Sequence, residues 1–142
     1  MAAISLLAVD VGNSNLKFGL HDGTTWAHFW PVATVRDKMP DEYAVLLRSF
    51  LRELDVDPTA IPRVVVSSVV PQLTDGLLAM LSRQTGRTPL RVSADLDLGI
   101  EVDTDNPRAV GTDLLANAVA GYTRFGGACV VVNFGTATTL SA

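Results

Sequence analysis

The chain is poor in the features that would tie it to a disulfide scaffold, a membrane or a nucleic acid. Its 142 residues hold one cysteine, Cys129. That excludes a disulfide framework and suits a reducing compartment, so a cytoplasmic location is expected, with Cys129 an inert small hydrophobe in a buried strand. Basic residues number 11 against 15 acidic, a formal net charge of −4. They form no Lys/Arg cluster, so no nucleic-acid partner is expected. No run approaches the roughly 18 apolar residues that cross a bilayer, so no membrane partner is expected either. The apolar opening Met1 to Val9 has no basic leader and runs straight into Asp10; it reads as a first strand, not a signal peptide. His21 and His28 stand seven apart with no cysteine or carboxylate at ligand spacing, which makes them surface residues and not a metal site. A P-loop and a nucleophile elbow are both missing.

What is present is a globular composition, 48% hydrophobic and 18% charged, enough for a folded domain with a real core. Two stretches share one format. Ala8-Val9-Asp10-Val11-Gly12-Asn13-Ser14-Asn15 and Val131-Val132-Asn133-Phe134-Gly135-Thr136-Ala137-Thr138 are each an apolar run, an acid or its amide, a spacer, a glycine, and small polar residues. Such a strand ending in a tight turn presents backbone N–H groups and short side chains to phosphate oxygens. Two of them suggest a nucleotide gripped from both sides.

Between them the pattern predicts strands at Ile4–Val9, Leu16–Leu20 and Trp26–Val35, with a hairpin signal at His21–Thr24. Trp26, Phe29 and Trp30 read as sheet-face packing. Pro40-Asp41-Glu42 opens a helix with Tyr43, Leu46, Leu47, Phe50, Leu51 and Leu54 on one stripe. A strand at Arg63–Ser68, a helix from Pro71 to about Gln84 stopped by Gly86, and a strand at Leu90–Ser93 follow. Asp95–Asn106 reads as a loop, Pro107 to about Phe125 as a third helix, and Ala128–Val132 as a strand entering the second turn. A Rossmann domain is disfavoured, because the first glycine turn opens a strand with period-two alternation.

Asp10 is the leading candidate for chemistry, since an unpaired charge ending an apolar strand is costly. It can face Mg²⁺ and phosphates with Gly12, Asn13, Ser14 and Asn15 forming the turn, or it can merely stabilise that turn. Lys17, on the same strand face as Asn15, can reach phosphates or remain a solvated edge lysine. On the third helix, Gly111, Asp113, Asn117 and Gly121 or Ala120 form a small, polar side. Asp113 there is either a general base for a hydroxyl or an acid favouring the helix dipole.

Four stretches together resemble the type III pantothenate kinases of the actin-like ATPase superfamily. They are Asp10–Gly19, the Ser67-Ser68-Val69-Val70-Pro71 segment running to Thr74, Asn106–Asp113 followed by Asn117-Ala118, and Val131–Thr139. The resemblance implies an α/β fold: a ribonuclease-H-like domain whose mixed sheet has three antiparallel strands, then parallel ones, flanked by helices. It divides the chain into a first domain at 1–106 and, at 107–142, the helix and first strands of an incomplete second domain. It implies ATP-dependent phosphorylation of pantothenate, the first step toward coenzyme A, with Mg²⁺ and a monovalent cation (K⁺ or NH₄⁺). Asp113 would be the base; Gly111, Thr112 and Asp113 would meet pantothenate. Asp10, Gly12, Asn13, Ser14, Asn15, Lys17, Gly135, Thr136 and Thr138 would hold ATP, with Asp10 and Asn133 at the metal. The full-length form would be a homodimer. Leu114 stands where the family usually has an arginine, and leucine cannot donate to a carboxylate. Asn133 replaces the acid of the second motif, keeping an oxygen but losing a charge. A non-catalytic regulatory or accessory protein on the same fold is the alternative.

Overall fold

The computed structural model describes residues 4–142; the part of the first-strand reading that falls on Met1–Ala3 lies outside them. Two compact units form, one running to Arg91 and the other Val92–Ala142. In the first, β1 (Leu6–Val11), β2 (Asn15–His21) and β3 (Trp26–Ala33) are followed by α1 (Pro40–Glu53), β4 (Val64–Ser68), α2 (Pro71–Thr85) and β5 (Leu90–Arg91). The sheet order is β3-β2-β1-β4-β5. β1–β2 and β2–β3 pair antiparallel, while β1–β4 and β4–β5 pair parallel. This is the strand order of the ribonuclease-H-like fold expected from the sequence.

Alternation explains the layering. Leu7, Val9 and Val11 of β1, Leu16, Phe18 and Leu20 of β2, and Val64 and Val66 of β4 are all buried, on one face of the pleat. Tyr43, Ala44, Leu47 and Leu51 of α1 and Leu73, Leu77, Met80 and Leu81 of α2 join them in one core cluster. The opposite face carries the alternate residues, Ala8 and Asp10 on β1, Lys17 and Gly19 on β2, Val65 and Ser67 on β4. The same burial that fixes the core therefore puts Asp10 and Lys17 outside it.

The helix ends follow local chemistry. Pro40 starts α1, and the Glu42 carboxylate accepts the Met39 N–H at 2.8 Å, supplying half of a capping box. Gly86 ends α2 in the left-handed region, φ 68°, its N–H bonding the Ser82 carbonyl at 2.9 Å. The aromatic residues divide by face. Trp30 stacks between His28 and Phe50, with centroids at 5.5 and 5.0 Å. Trp26 lies over Gly19, where a Cβ would come within 2.9 Å of the indole ring. Phe29 does not pack as expected: it is 59% exposed on the edge strand.

The second unit holds a loop, α3 (Thr112–Phe125), β6 (Val131–Phe134) and β7 (Thr138–Ser141). Its helix begins later than the sequence pattern suggests. Pro107–Ala109 is a separate 3₁₀ turn, and Val110 and Gly111 are extended before α3 starts with Gly111 as N-cap. Glycine costs a helix interior about 1 kcal/mol but is accepted at the N-cap, so the helix starts there. Gly126 closes it at φ 67°. Cys129 is half-buried and precedes β6, whereas the sequence suggested a buried strand position. β6 and β7 pair antiparallel. Val132, Phe134 and Leu140 on one face of this hairpin are exposed, while Val131 on the other approaches Gly121 of α3.

Two tests follow from the first unit. Leu47→Ala removes a side chain from the α1–sheet contact and should lower unfolding free energy by about 3 kcal/mol in urea titrations. The hairpin loop has an acid limb. The Asp22 carboxylate accepts the Thr25 and Thr24 N–H groups and the Thr24 hydroxyl, each at 2.8 Å, which holds its pKa well below the usual carboxylate range. A depressed folded pKa adds stability above the unfolded value of about 3.9 and loses it as pH falls toward the folded one. Asp22→Asn should therefore flatten the acid side of the stability–pH curve below about pH 4 and leave it parallel to wild type near neutrality.

Candidate functional site

β1 and β2 bring the first group together. Asp10 is the direct antiparallel partner of Lys17, and Val11 of Leu16 closes the ladder. The Lys17 Nζ lies 3.1 Å from Asp10 Oδ2, with the two side chains 41% and 39% exposed. Lys17 is thus not a lone edge lysine; it is paired with the acid. The pair is accessible, so it is worth at most about 1 kcal/mol and is easily exchanged for another anion or cation.

The turn beyond this pair is Gly12–Asn15, closed by Gly12 N–H to the Asn15 carbonyl at 3.0 Å. Gly12 does not have a positive φ. Glycine is favoured there by space, because a Cβ would stand 3.0 Å from the Asn15 oxygen and the turn would have to give way. Asn13, Ser14 and Asn15 are exposed. The segment after β3 straps this turn. Thr34 donates its hydroxyl to the Gly12 carbonyl at 2.7 Å and its N–H to the Ser14 carbonyl at 2.9 Å. Arg36 Nη2 donates to Asn13 Oδ1 at 3.2 Å. Thr34 and Arg36 were not singled out from sequence. The available signal was topological: β3 runs antiparallel to β2, with Ala33 opposite Asn15, so the chain must leave β3 beside the turn.

On β4, Ser67 stands beside Asp10 in parallel register. Ser68 Oγ and Thr74 Oγ1 lie 2.8 Å apart, and Thr74 donates to the Val70 carbonyl at 3.0 Å. These hydroxyls tie the end of β4 to the first turn of α2.

The second unit holds the remaining candidates. Gly111 is the N-cap of α3, Thr112 its first residue, and the half-buried Asp113 its second. That puts Asp113 in the first turn, where the helix dipole favours a carboxylate. Asn117 follows one turn on and Gly121 one turn later, on the same stripe. A Cβ on Gly121 would meet Val131 Cγ2 at 3.1 Å and Cys129 Sγ at 3.2 Å, so smallness there serves packing within the unit. In the β6–β7 turn the Gly135 N–H bonds the Ala137 carbonyl at 3.2 Å. Asn133 pairs with Thr139 and Phe134 with Thr138 across the hairpin. The buried Thr139 Oγ1 has no hydrogen-bond partner among the described residues. Gly135 has neither a positive φ nor a crowded Cβ position, its nearest neighbour being 3.6 Å away. The fold itself does not require glycine there. An open groove of about 510 Å³ on α3 is lined by Val119, Ala120 and Arg124 among others; it includes Ala120 of the expected small side but not Gly111, Asp113, Asn117 or Gly121.

Among the described residues no cluster of three or more His, Cys, Asp or Glu could cage a metal. One accessible carboxylate at a phosphate-type turn does suit Mg²⁺, which keeps most of its waters and is held by one or two carboxylates together with substrate phosphates.

The family model for type III pantothenate kinases matches residues 6–142. Individual type III pantothenate kinases are similar to this chain. That of Moorella thermoacetica is 42% identical over 137 residues, covering 96% of this chain and 54% of the relative. That of Anaeromyxobacter sp. strain K is 42% identical over 134 residues, covering 94% and 53%. That of Exiguobacterium sp. is 38% identical over 134 residues, covering 94% and 53%. The chain thus spans about half the length of the curated relatives it matches. Among solved structures, RuvC of Thermus thermophilus aligns over 85% of this chain and 96% of its own at 15% identity, with a TM-score of 0.40, too slight a likeness to argue from.

The two glycines differ in how far local packing favours them. Gly12→Ala should cost about 1 kcal/mol or more of stability, because the turn must open around the new methyl. Gly135→Ala should stay within about 0.5 kcal/mol of wild type or gain slightly, through the unfolded state. Thermal or urea unfolding of the two variants checks both.

Proposed function

The chain belongs to the type III pantothenate kinase family, and from that premise we propose that it contributes to phosphoryl transfer from ATP to a hydroxyl of pantothenate. The observation that carries this reading is the Gly12–Asn15 turn, held by Thr34 and set beyond an accessible Asp10–Lys17 pair. Turn amides and short polar side chains at that place suit phosphate oxygens, and Lys17 adds a point charge once Asp10 is engaged elsewhere. Gly135, Thr136 and Thr138 form the second phosphate contact in this reading. Its support is a glycine that the fold does not require.

Asp10 would hold Mg²⁺, whose chemistry is to neutralise charge on the transferring phosphates; Asn133 is the weaker, neutral candidate ligand on the second turn. Asp113 is the general base: it takes the proton from the pantothenate hydroxyl as that oxygen bonds to the γ-phosphorus and ADP departs. Gly111 and Thr112 would help hold the substrate beside it. The chemistry asks mainly for positioning and charge neutralisation. A monovalent cation, K⁺ or NH₄⁺, a homodimeric full-length form and a cytoplasmic location belong to the same proposal. In the full-length protein residues 1–106 would make the first ribonuclease-H-like domain and 107–142 the opening of a second. No helix among the described residues is long and apolar enough to cross a membrane.

Leu114 and Asn133 favour a second reading, a non-catalytic regulatory or accessory protein. Leucine after the base offers no donor to the pantothenate carboxylate, and the amide brings no charge to a cation.

Pantothenate-dependent ADP release, with Mg²⁺ and K⁺, separates the two. It should be measured on this chain and on any longer reading frame that contains it. Turnover by the longer form is expected, and Asp113→Asn should reduce it by about a hundredfold or more. Absence of turnover in the longer form, even with Leu114→Arg and Asn133→Asp, would leave the non-catalytic reading.

A further inference from the structure

Arg36 lies outside every motif the sequence pointed to, yet its guanidinium meets the centre of the phosphate turn, 3.2 Å from Asn13 Oδ1. A guanidinium only donates, so the Asn13 atom facing it must be the carbonyl oxygen. The Nδ2 donors then occupy the other end of the same planar group. Left to rotate, the carboxamide could turn either end toward an incoming phosphate. The carbonyl end would repel it and the amide end would bind it.

The segment carrying Arg36 is itself fixed. Tyr43, fully buried in α1, accepts the Val35 N–H at 2.9 Å and donates to the Val35 carbonyl at 3.2 Å. On one side of Val35, Thr34 holds the Gly12 and Ser14 carbonyls; on the other, Arg36 holds Asn13. The core thus anchors a strap that grips three successive residues of the turn. Arg36 and Asn13 are both exposed, so their bond adds little to folding.

Resting on the reading of Gly12–Asn15 as a phosphate grip, we propose that Arg36 is a positioning residue for nucleotide phosphates. By occupying Asn13 Oδ1 it commits the Asn13 amide donors to the anion. It acts through Asn13 and needs no contact with the nucleotide.

The test is calorimetric titration of Mg·ATP into the 142-residue chain and its Arg36→Ala, Asn13→Ala, doubly substituted and Arg36→Lys variants. Thermal melts and ¹⁵N spectra of the Asn13 side-chain amide accompany it. Arg36→Ala should weaken binding about two- to threefold, leave the melting temperature unchanged, and diminish the ATP-induced shift of the Asn13 amide. The double variant should bind no worse than Asn13→Ala alone, because both act through one group, and Arg36→Lys should recover part of the loss. Wild-type affinity in Arg36→Ala, or additive losses in the double variant, would overturn the proposal while leaving the phosphate grip standing. No Mg·ATP binding by the wild-type chain would overturn the grip itself, and the proposal with it.

Discussion

The antiparallel register of β1 and β2 is the constraint on which the rest depends. Leu7, Val9 and Val11 face Leu20, Phe18 and Leu16 across the ladder, all of them buried under α1 and α2. A slip of one residue would expose these side chains and bury Asp10 and Lys17 in their place. Each buried aliphatic is worth about 2 kcal/mol and each unpaired buried charge costs several, so that slip is forbidden. The core thereby decides where the acid and the lysine stand. It also decides where the strap meets the turn, since Phe18 pairs with Trp30 and Asn15 with Ala33 in the same sheet.

The two glycine turns are unlike in how they are held. Gly12–Asn15 is held from several sides: space at Gly12 is tight, Thr34 takes two of its carbonyls, and Arg36 takes the Asn13 oxygen. Gly135 has room for a methyl, and its N–H bonds the Ala137 carbonyl at 3.2 Å. A turn held in place beforehand binds an anion with little ordering cost. Asn133 carries no charge into that second turn. On the proposed reading, nucleotide recognition within this chain would fall mainly on the first turn.

What could be read in the sequence was what local chemistry dictates. The alternation in β1 and β2, the Pro40 and Pro71 helix starts and the Gly86 and Gly126 stops are each written within a few residues. The start of α3 was misplaced because Pro107 opens a 3₁₀ turn with the same signal that opens a helix, and Gly111 was the break that mattered. Lys17 was recognised but its partner was not, since pairing with Asp10 depends on register. Arg36 was invisible for a related reason: it lies 23 residues from Asn13 and reaches it only after three strands have paired.

The central claim is that the Gly12–Asn15 turn is a nucleotide grip positioned by the β1–β2 register. Backbone amide shift mapping of the chain during a titration with Mg·ATP tests it most directly. The account predicts that the largest saturable shifts fall on Gly12 to Asn15. Saturable shifts confined to other residues, with Gly12 to Asn15 unmoved, would contradict it.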